Sequence, residues 1–288
     1  MINFLKYRFV YYTISSVVIL AGLFSIFRWG FIYSIDFVGG TNLEYQLNKS
    51  VKEADIKKTL TDQKVETIEI KLQDKNLLIR SKPIDERKEV QVRADLEKKL
   101  NAKITVLRTE TVGPVLGREM IRKTIIASLI AIIGILAYMS FAFKGFNFAF
   151  AAIIALLHDF LVVVGSYSLI SKFFGAQVDT LFVTAILTTM SFSVHDTIII
   201  FDKIREYIRH EGKGNIEVYA NRALTETLVR SINNSMTIIF MLLALTLFGG
   251  STIRFFVLTL LIGTITGTYS SPFVATPVVV WLEKIRKK

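Results

Sequence analysis

Apolar runs alternate with polar stretches along this chain on a scale of about twenty residues. Six runs stand out, at about residues 9–27, 124–143, 146–170, 178–201, 232–248 and 255–281. Each is near or above the roughly 20 residues a helix needs to cross a bilayer. The links inside the second half are short. Lys144-Gly145 separates the second run from the third, residues 172–177 the third from the fourth, and Gly249-Gly250-Ser251 the fifth from the sixth. Each of these pairs therefore reads as an antiparallel hairpin. Lys6 and Arg8 precede the first run, as they would in a signal peptide. No small-residue cleavage site follows, so the run reads as an uncleaved anchor.

Residues 31–123 have a different rhythm. Leu43, Tyr45 and Leu47 alternate as on a half-buried strand, and so do Ile68, Ile70 and Leu72, then Leu77 and Ile79 after the turn residues Asp74-Lys75-Asn76. Ser50-Val-Lys-Glu53 reads as a capping box, with Ile56 and Leu60 then at helical spacing. Asp85 opens a charged helix with Val92, Leu96 and Leu100 on one face, and Ile104 and Val106 form a last strand. The order strand, helix, strand, strand, helix, strand is the split arrangement of a ferredoxin-like fold. The predicted architecture is an α-helical integral membrane protein. It is a six-helix transmembrane bundle with a small ferredoxin-like α+β extracytoplasmic domain between spans 1 and 2. The expected divisions are 1–30, 31–123 and 124–288, with a cytoplasmic loop at 202–230 and, within it, an interfacial amphipathic helix over 215–230 that turns Ile216, Tyr219, Ala223 and Leu224 to the membrane.

Composition agrees and adds limits. Apolar residues make up 52% of the chain and charged residues 20%, a mixture that fits apolar blocks around one polar block. There is no cysteine, which excludes disulfides, thiol nucleophiles and cysteine-held metals, and three scattered histidines make no metal site. No cofactor is implied. The net charge of +11 is read as lysine and arginine at cytoplasmic loops and anionic head groups of membrane lipid, and not as a nucleic-acid surface. Lys6 and Arg8, then Lys203, Arg205, Arg209, Lys213 and Arg222, then Lys284, Arg286, Lys287 and Lys288 fall on one side of a six-span chain. The positive-inside rule makes that side the cytoplasm and places both termini there. Arg118, Arg122 and Lys123 oppose the rule locally, next to a long exported segment where it is weak.

Ionisable residues inside the apolar runs are the candidate chemistry. His195 and Asp196, beside Thr197, lie near one end of the fourth run. A carboxylate buried in hydrocarbon costs several kcal/mol, so it marks a functional site or a polar side chain that bonds a neighbouring helix. His158-Asp159 sits at the middle of the third run and must face the bundle interior; a proton path and a packing role are both open. Asp202 reads as an interfacial charge capping the end of its helix. Gly263 and Gly267 form a small-xxx-small face for a partner or for another helix of this chain. Pro272 and Pro277 kink or loosen the sixth run. Gly39-Gly40 permits unusual backbone angles where the chain leaves the membrane, as a tight turn or as a hinge. No nucleophile–base pair and no phosphate loop stands out in residues 31–123, so that domain reads as a binding or mechanical module, and the chain as no enzyme.

At these residues the chain resembles a known family. Ile35-Asp-Phe-Val-Gly-Gly-Thr-Asn-Leu-Glu44, Val112-Gly-Pro-Val-Leu-Gly117, His158-Asp159 and Ser193-Val-His-Asp-Thr-Ile-Ile-Ile-Phe-Asp-Lys-Ile-Arg-Glu206 look like the signatures of SecF-type proteins, within the resistance–nodulation–division superfamily. Phe248-Gly-Gly250 and the stretch 263–271 complete the series. Asp36, Phe37, Gly39, Gly40 and Thr41 carry the first signature. The resemblance implies a partner, SecD, joint action with the SecY-SecE-SecG channel and often YajC, and help in drawing a translocating preprotein across the membrane with the proton-motive force. It implies Asp196 and Arg230 as proton-relay residues, and His195, His158 and Asp159 remain candidates by their place in the apolar runs. The family usually has asparagine where this chain has His195, which departs from the pattern. Arg230 enters the fifth run from the same side as Asp196, and its movement could load or release a proton there; a head-group anchor is the plainer fate of such an arginine. A proton-coupled small-molecule exporter and a passive assembly subunit are the competing readings.

Overall fold

The computed structural model describes residues 3–143, 145–212 and 214–286, so Lys144, Lys213, Lys287 and Lys288 of the charge pattern lie outside the described residues. Six helices are long and apolar enough to cross a membrane, as predicted, and the described chain divides into two compact units. One is Tyr33–Ile125, and the other joins the first span to the last five.

The smaller unit has the ferredoxin-like order. Strand β1 (Gly40–Leu47), helix α2 (Glu53–Asp62), β2 (Thr67–Gln73), β3 (Asn76–Ser81), α3 (Glu86–Leu100) and β4 (Ile104–Val112) follow the first span, α1 (Arg8–Trp29). The four strands lie in the order β2-β3-β1-β4, all neighbours antiparallel. Leu43, Tyr45, Leu47, Leu77 and Ile79 pack against Ile56, Leu60, Val92 and Leu96 of the two helices in one core, as the alternation required. Asp85 caps α3 by accepting from the Lys88 amide at 2.7 Å.

Two local predictions fail there. The capping box of Ser50 does not form, and α2 starts at Glu53 behind an extended Lys52. Asn48 is tied to Lys103 through both its backbone amide and its side chain, which holds the chain extended past Ser50. Ile68 is exposed, while Ile70 and Leu72 do reach the core. A register shift between Thr67 and Glu69 bulges that residue out of the alternation.

The second span begins earlier than its hydropathy. Helix α4 runs Pro114–Ala142, so the basic residues Arg118, Arg122 and Lys123 are helical. Proline at the first helical position lacks an amide that would be unsatisfied there anyway. Helices α5 (Phe146–Phe174), α6 (Thr180–Glu211), α7 (Ile216–Phe248), α8 (Ser251–Ser270) and α9 (Thr276–Arg286) complete the bundle, with a π-helical turn at Ser271–Ala275 between α8 and α9. Pro272 sits in that turn, which is the loosening its position predicted. The span crossings are made by small residues. A Cβ on Gly22 of α1 would lie 2.7 Å from the Gly165 Cα of α5, and one turn on Ser25 and Ser168 share a hydrogen bond of 2.8 Å.

The predicted cytoplasmic loop 202–230 is largely helix. α6 continues to Glu211 and α7 starts at Ile216, so the amphipathic segment 215–230 is the first part of the fifth span's helix and no separate element. Side chains explain the continuation. Arg222 bonds Glu211 at 2.6 and 2.9 Å and lies over the Tyr207 ring, and Lys203 reaches Glu226 at 3.3 Å. Asp202 pairs with Arg205 one turn along the same helix and does not cap its end. Arg205 in turn donates to the Ala142 and Phe143 carbonyls, capping the far end of α4.

Candidate functional site

Helix α6 is aligned by its N-cap, where Asp179 accepts from the Phe182 amide at 2.7 Å. Its buried face carries Thr189, Ser193, Asp196, Thr197 and Ile200, at the three- and four-residue spacing of one helix side. This face lies against α8, and glycines there make the close approach. A Cβ on Gly263 would fall 2.2 Å from Thr189 Cγ2, and one on Gly267 would meet Ser193 at 3.1 Å. The small-residue face open to two partners in the sequence is thus filled by α6 of the same chain.

Asp196 is buried, 6% exposed, and its Oδ2 accepts from the Ser231 hydroxyl of α7 at 2.6 Å. Arg230 is exposed, and among the described residues it makes no hydrogen bond or ion pair with Asp196. Successive helical residues point about 100° apart, so α7 can turn either Arg230 or Ser231 toward α6, and it turns the serine. His195 is likewise rotated out of the interior and exposed. It lines, with Asp196, Asn234, Ser235, Thr268 and the apolar Phe192 and Ile238, a small cleft of about 30 Å³. That is room for a water molecule with several polar partners.

A second buried carboxylate lies on α5. Asp159 Oδ2 accepts from the Ser193 hydroxyl of α6 and from the Ser270 hydroxyl at the end of α8, the latter at 2.7 Å. Its Oδ1 lies 2.9 Å from His158 Nδ1, and His158 Nε2 lies 2.9 Å from the Ser15 hydroxyl of α1. Thr197 and Ser271 share a hydrogen bond of 2.8 Å beside them. The structure therefore gathers His158 and Asp159 with the face of α6 that also carries Asp196. The residues missed in the sequence are hydroxyls: Ser15, Ser193, Ser231 and Ser270. Ser193 stands three residues before Asp196, a spacing that could have flagged it; Ser15, Ser231 and Ser270 carry no local signal.

The first-signature residues lie in the smaller unit. Ser34 caps a single helical turn at Ile35–Val38 that carries Asp36 and the buried Phe37. Gly39 and Gly40 have φ of +75° and +140°. A Cβ on Gly39 would meet the Pro114 backbone at 3.1 Å, one on Gly40 the Ser81 carbonyl at 2.8 Å, and one on Gly117 the Phe37 carbonyl at 2.9 Å. Thr41 shares a bond of 2.9 Å with Thr111 and accepts from the Ile84 amide. The stretches 35–44 and 112–117, distant in sequence, form one packed turn. Among the described residues no cluster of three metal-ligating side chains occurs.

Comparison with known proteins follows the same lines. Residues 92–285 match the family described as protein export membrane protein SecD/SecF, C-terminal, and residues 24–51 match the SecD/SecF GG motif. The chain is 40% identical to the protein translocase subunit SecF of Thermobaculum terrenum, over 99% of this chain and 95% of that one. It is 38% identical to the subunit of the same name from Anaerolinea thermophila, over 98% and 94%. Among solved structures it superposes on a crystal structure of SecDF from Thermus thermophilus, described as a translocon-associated membrane protein. The TM-score is 0.86 at 30% identity, covering 98% of this chain and 39% of that one.

Proposed function

This chain belongs to the SecD/SecF family of protein-export membrane proteins, and from that premise we propose that it is the SecF half of a SecD–SecF pair that uses the proton-motive force to assist Sec-dependent export. As a multi-pass membrane protein it takes its place in the bacterial cytoplasmic membrane with both termini cytoplasmic, the arrangement the basic residues favour. A SecD-type partner follows from the fused relative, of which this chain matches 39%. The SecY-SecE-SecG channel, YajC and an emerging preprotein are the further partners.

The observation that carries the reading is Asp196. A buried carboxylate in a span, held among the described residues by one hydroxyl and no cation, costs free energy that a merely structural site has no need of. The small cleft beside it, with room for a water molecule and His195 at its wall, supports access of a water-borne proton. Arg230 acts in this reading only after a movement, either of its side chain or of α7, because Ser231 holds the position next to the carboxylate. Asp196→Asn keeps shape and removes the titratable group. Export into membrane vesicles, with and without an imposed proton gradient, reads the result. The expected outcome is normal assembly with SecD and loss of the gradient-dependent stimulation. Wild-type stimulation would favour the passive assembly subunit and sink the proton-carrying role.

A further inference from the structure

The groups around Asp159 define where its protons sit. Both Ser193 and Ser270 donate to Oδ2, which fills that oxygen with acceptor contacts and leaves Oδ1 to face His158 Nδ1. On the other side of the ring, His158 Nε2 faces Ser15 Oγ, whose own hydroxyl points to Tyr269 Oη at 3.5 Å. Tyr269 donates to the Tyr11 carbonyl at 2.9 Å. The neutral ring holds one proton, on Nε2 toward Ser15 or on Nδ1 toward Asp159. In either form the ring and an ionised Asp159 are together a net anion in the bundle interior. One further proton makes the pair neutral overall, whichever group holds it.

The titratable groups facing the pair are few. Among the described residues α8 offers Tyr269 and α6, one turn beyond Ser193, offers Asp196, while α1 brings only Ser15 and the Tyr11 carbonyl; no Lys, Arg or Glu bonds to either member. The chain of hydroxyls leads away from Asp196, through Ser15 to Tyr269, whose hydroxyl ends on the Tyr11 carbonyl near the N-terminal end of α1. Each hydroxyl in it both accepts and donates, which is what handing a proton onward requires. The Ser15–Tyr269 contact is the longest link, so a small shift of α1 against α8 opens or closes it.

We propose that His158 and Asp159 form a second proton-binding site, distinct from Asp196 and reached through Ser15 and Tyr269. This rests on reading the chain as a proton-driven subunit. Loss of the proton restores a net negative charge on the pair, and Ser270, which donates to Asp159, stands directly before the π-helical turn that begins at the next residue.

The test is pH-titrated infrared difference spectroscopy of the full chain in lipid vesicles, read at the carboxyl and imidazole bands, alongside gradient-driven export. The component lost in Asp159→Asn should persist in Asp196→Asn, and the converse should hold. Tyr269→Phe should keep both components and slow the filling of the Asp159 site after a pH jump. If Asp159→Asn does not insert, His158→Gln serves instead, and the midpoint of the Asp159 component should move while that of Asp196 stays. Spectra unchanged by Asp159→Asn, or an unmoved midpoint in His158→Gln, would overturn the second site. Export stimulation that survives Asp196→Asn while the Asp159 component remains would remove Asp196 as the required proton carrier and leave the second site standing.

Discussion

Among the described residues the Asp196 carboxylate has one side-chain donor, Ser231, and that contact is a handle on the site. Ser231→Ala should leave assembly intact and displace the pH profile of gradient-driven export; an unchanged profile would mean the hydrogen bond has no part in proton exchange. His195→Asn restores the residue usual in the family at the wall of the cleft. Most export activity should remain, with an altered pH dependence, and complete inactivation would contradict a tuning role. A third residue-scale prediction lies outside the membrane. Tyr45 is buried and donates to Glu89 Oε1 at 2.6 Å. Burial first, then the hydrogen bond to the Glu89 carboxylate, pushes its hydroxyl well above the ordinary tyrosine range. The folded state therefore holds this proton more tightly than the unfolded chain. The stability it contributes is complete below about pH 10, where free tyrosine keeps its proton, and drains away as pH rises beyond that. Tyr45→Phe should flatten this alkaline loss, and at neutral pH it should cost about 1–3 kcal/mol by stranding the buried carboxylate. Thermal unfolding followed across pH measures both.

Helix faces are decided by small residues. Gly263 lies so close to Thr189 that any side chain there must part α6 from α8. Gly263→Leu should destabilise the bundle by about 1–3 kcal/mol through overpacking, seen as earlier thermal unfolding in detergent. An unaltered midpoint would show that the helices separate at no cost. The periods of the spans were readable because a bilayer demands long apolar helices, and Val92, Leu96 and Leu100 were readable because α3 has one buried face. Element ends were read less well. Hydropathy marks where a helix meets lipid, whereas α4, α6 and α7 continue into water on ion pairs, an aromatic contact and a proline start. The capping box at Ser50 failed for a related reason: a local motif yielded to the anchoring of Asn48 on Lys103.

For the molecule as a whole, the proposed function requires that the domain between spans 1 and 2 answer events among the spans. The hinge reading of Gly39-Gly40 meets a packed turn in which both glycines have positive φ and touch backbone at Pro114 and Ser81. Gly39→Val and Gly40→Val should impair export, and the packing requires that they also loosen the exported domain. Hydrogen exchange over β1 and β4 should quicken in Gly40→Val. If exchange stays slow while export fails, the glycines act as a hinge. If export is normal, they are a tolerant turn.

The residue pattern by itself determined six spans, the exported α+β domain, its strand order along the chain and the candidate carboxylates. These follow from local physics: twenty apolar residues to cross hydrocarbon, period-two and period-3.6 burial, and the cost of charge in lipid. What the pattern left open was settled by contacts between residues far apart. Gly263 and Gly267 meet α6 and not a partner, Ser231 and not Arg230 stands beside Asp196, and Ser15, Ser193 and Ser270 converge around His158 and Asp159. A serine in a long apolar run looks the same whether it bonds its own backbone or a carboxylate two helices away. Only the rotation and crossing of the helices distinguish the two, and no single span encodes them.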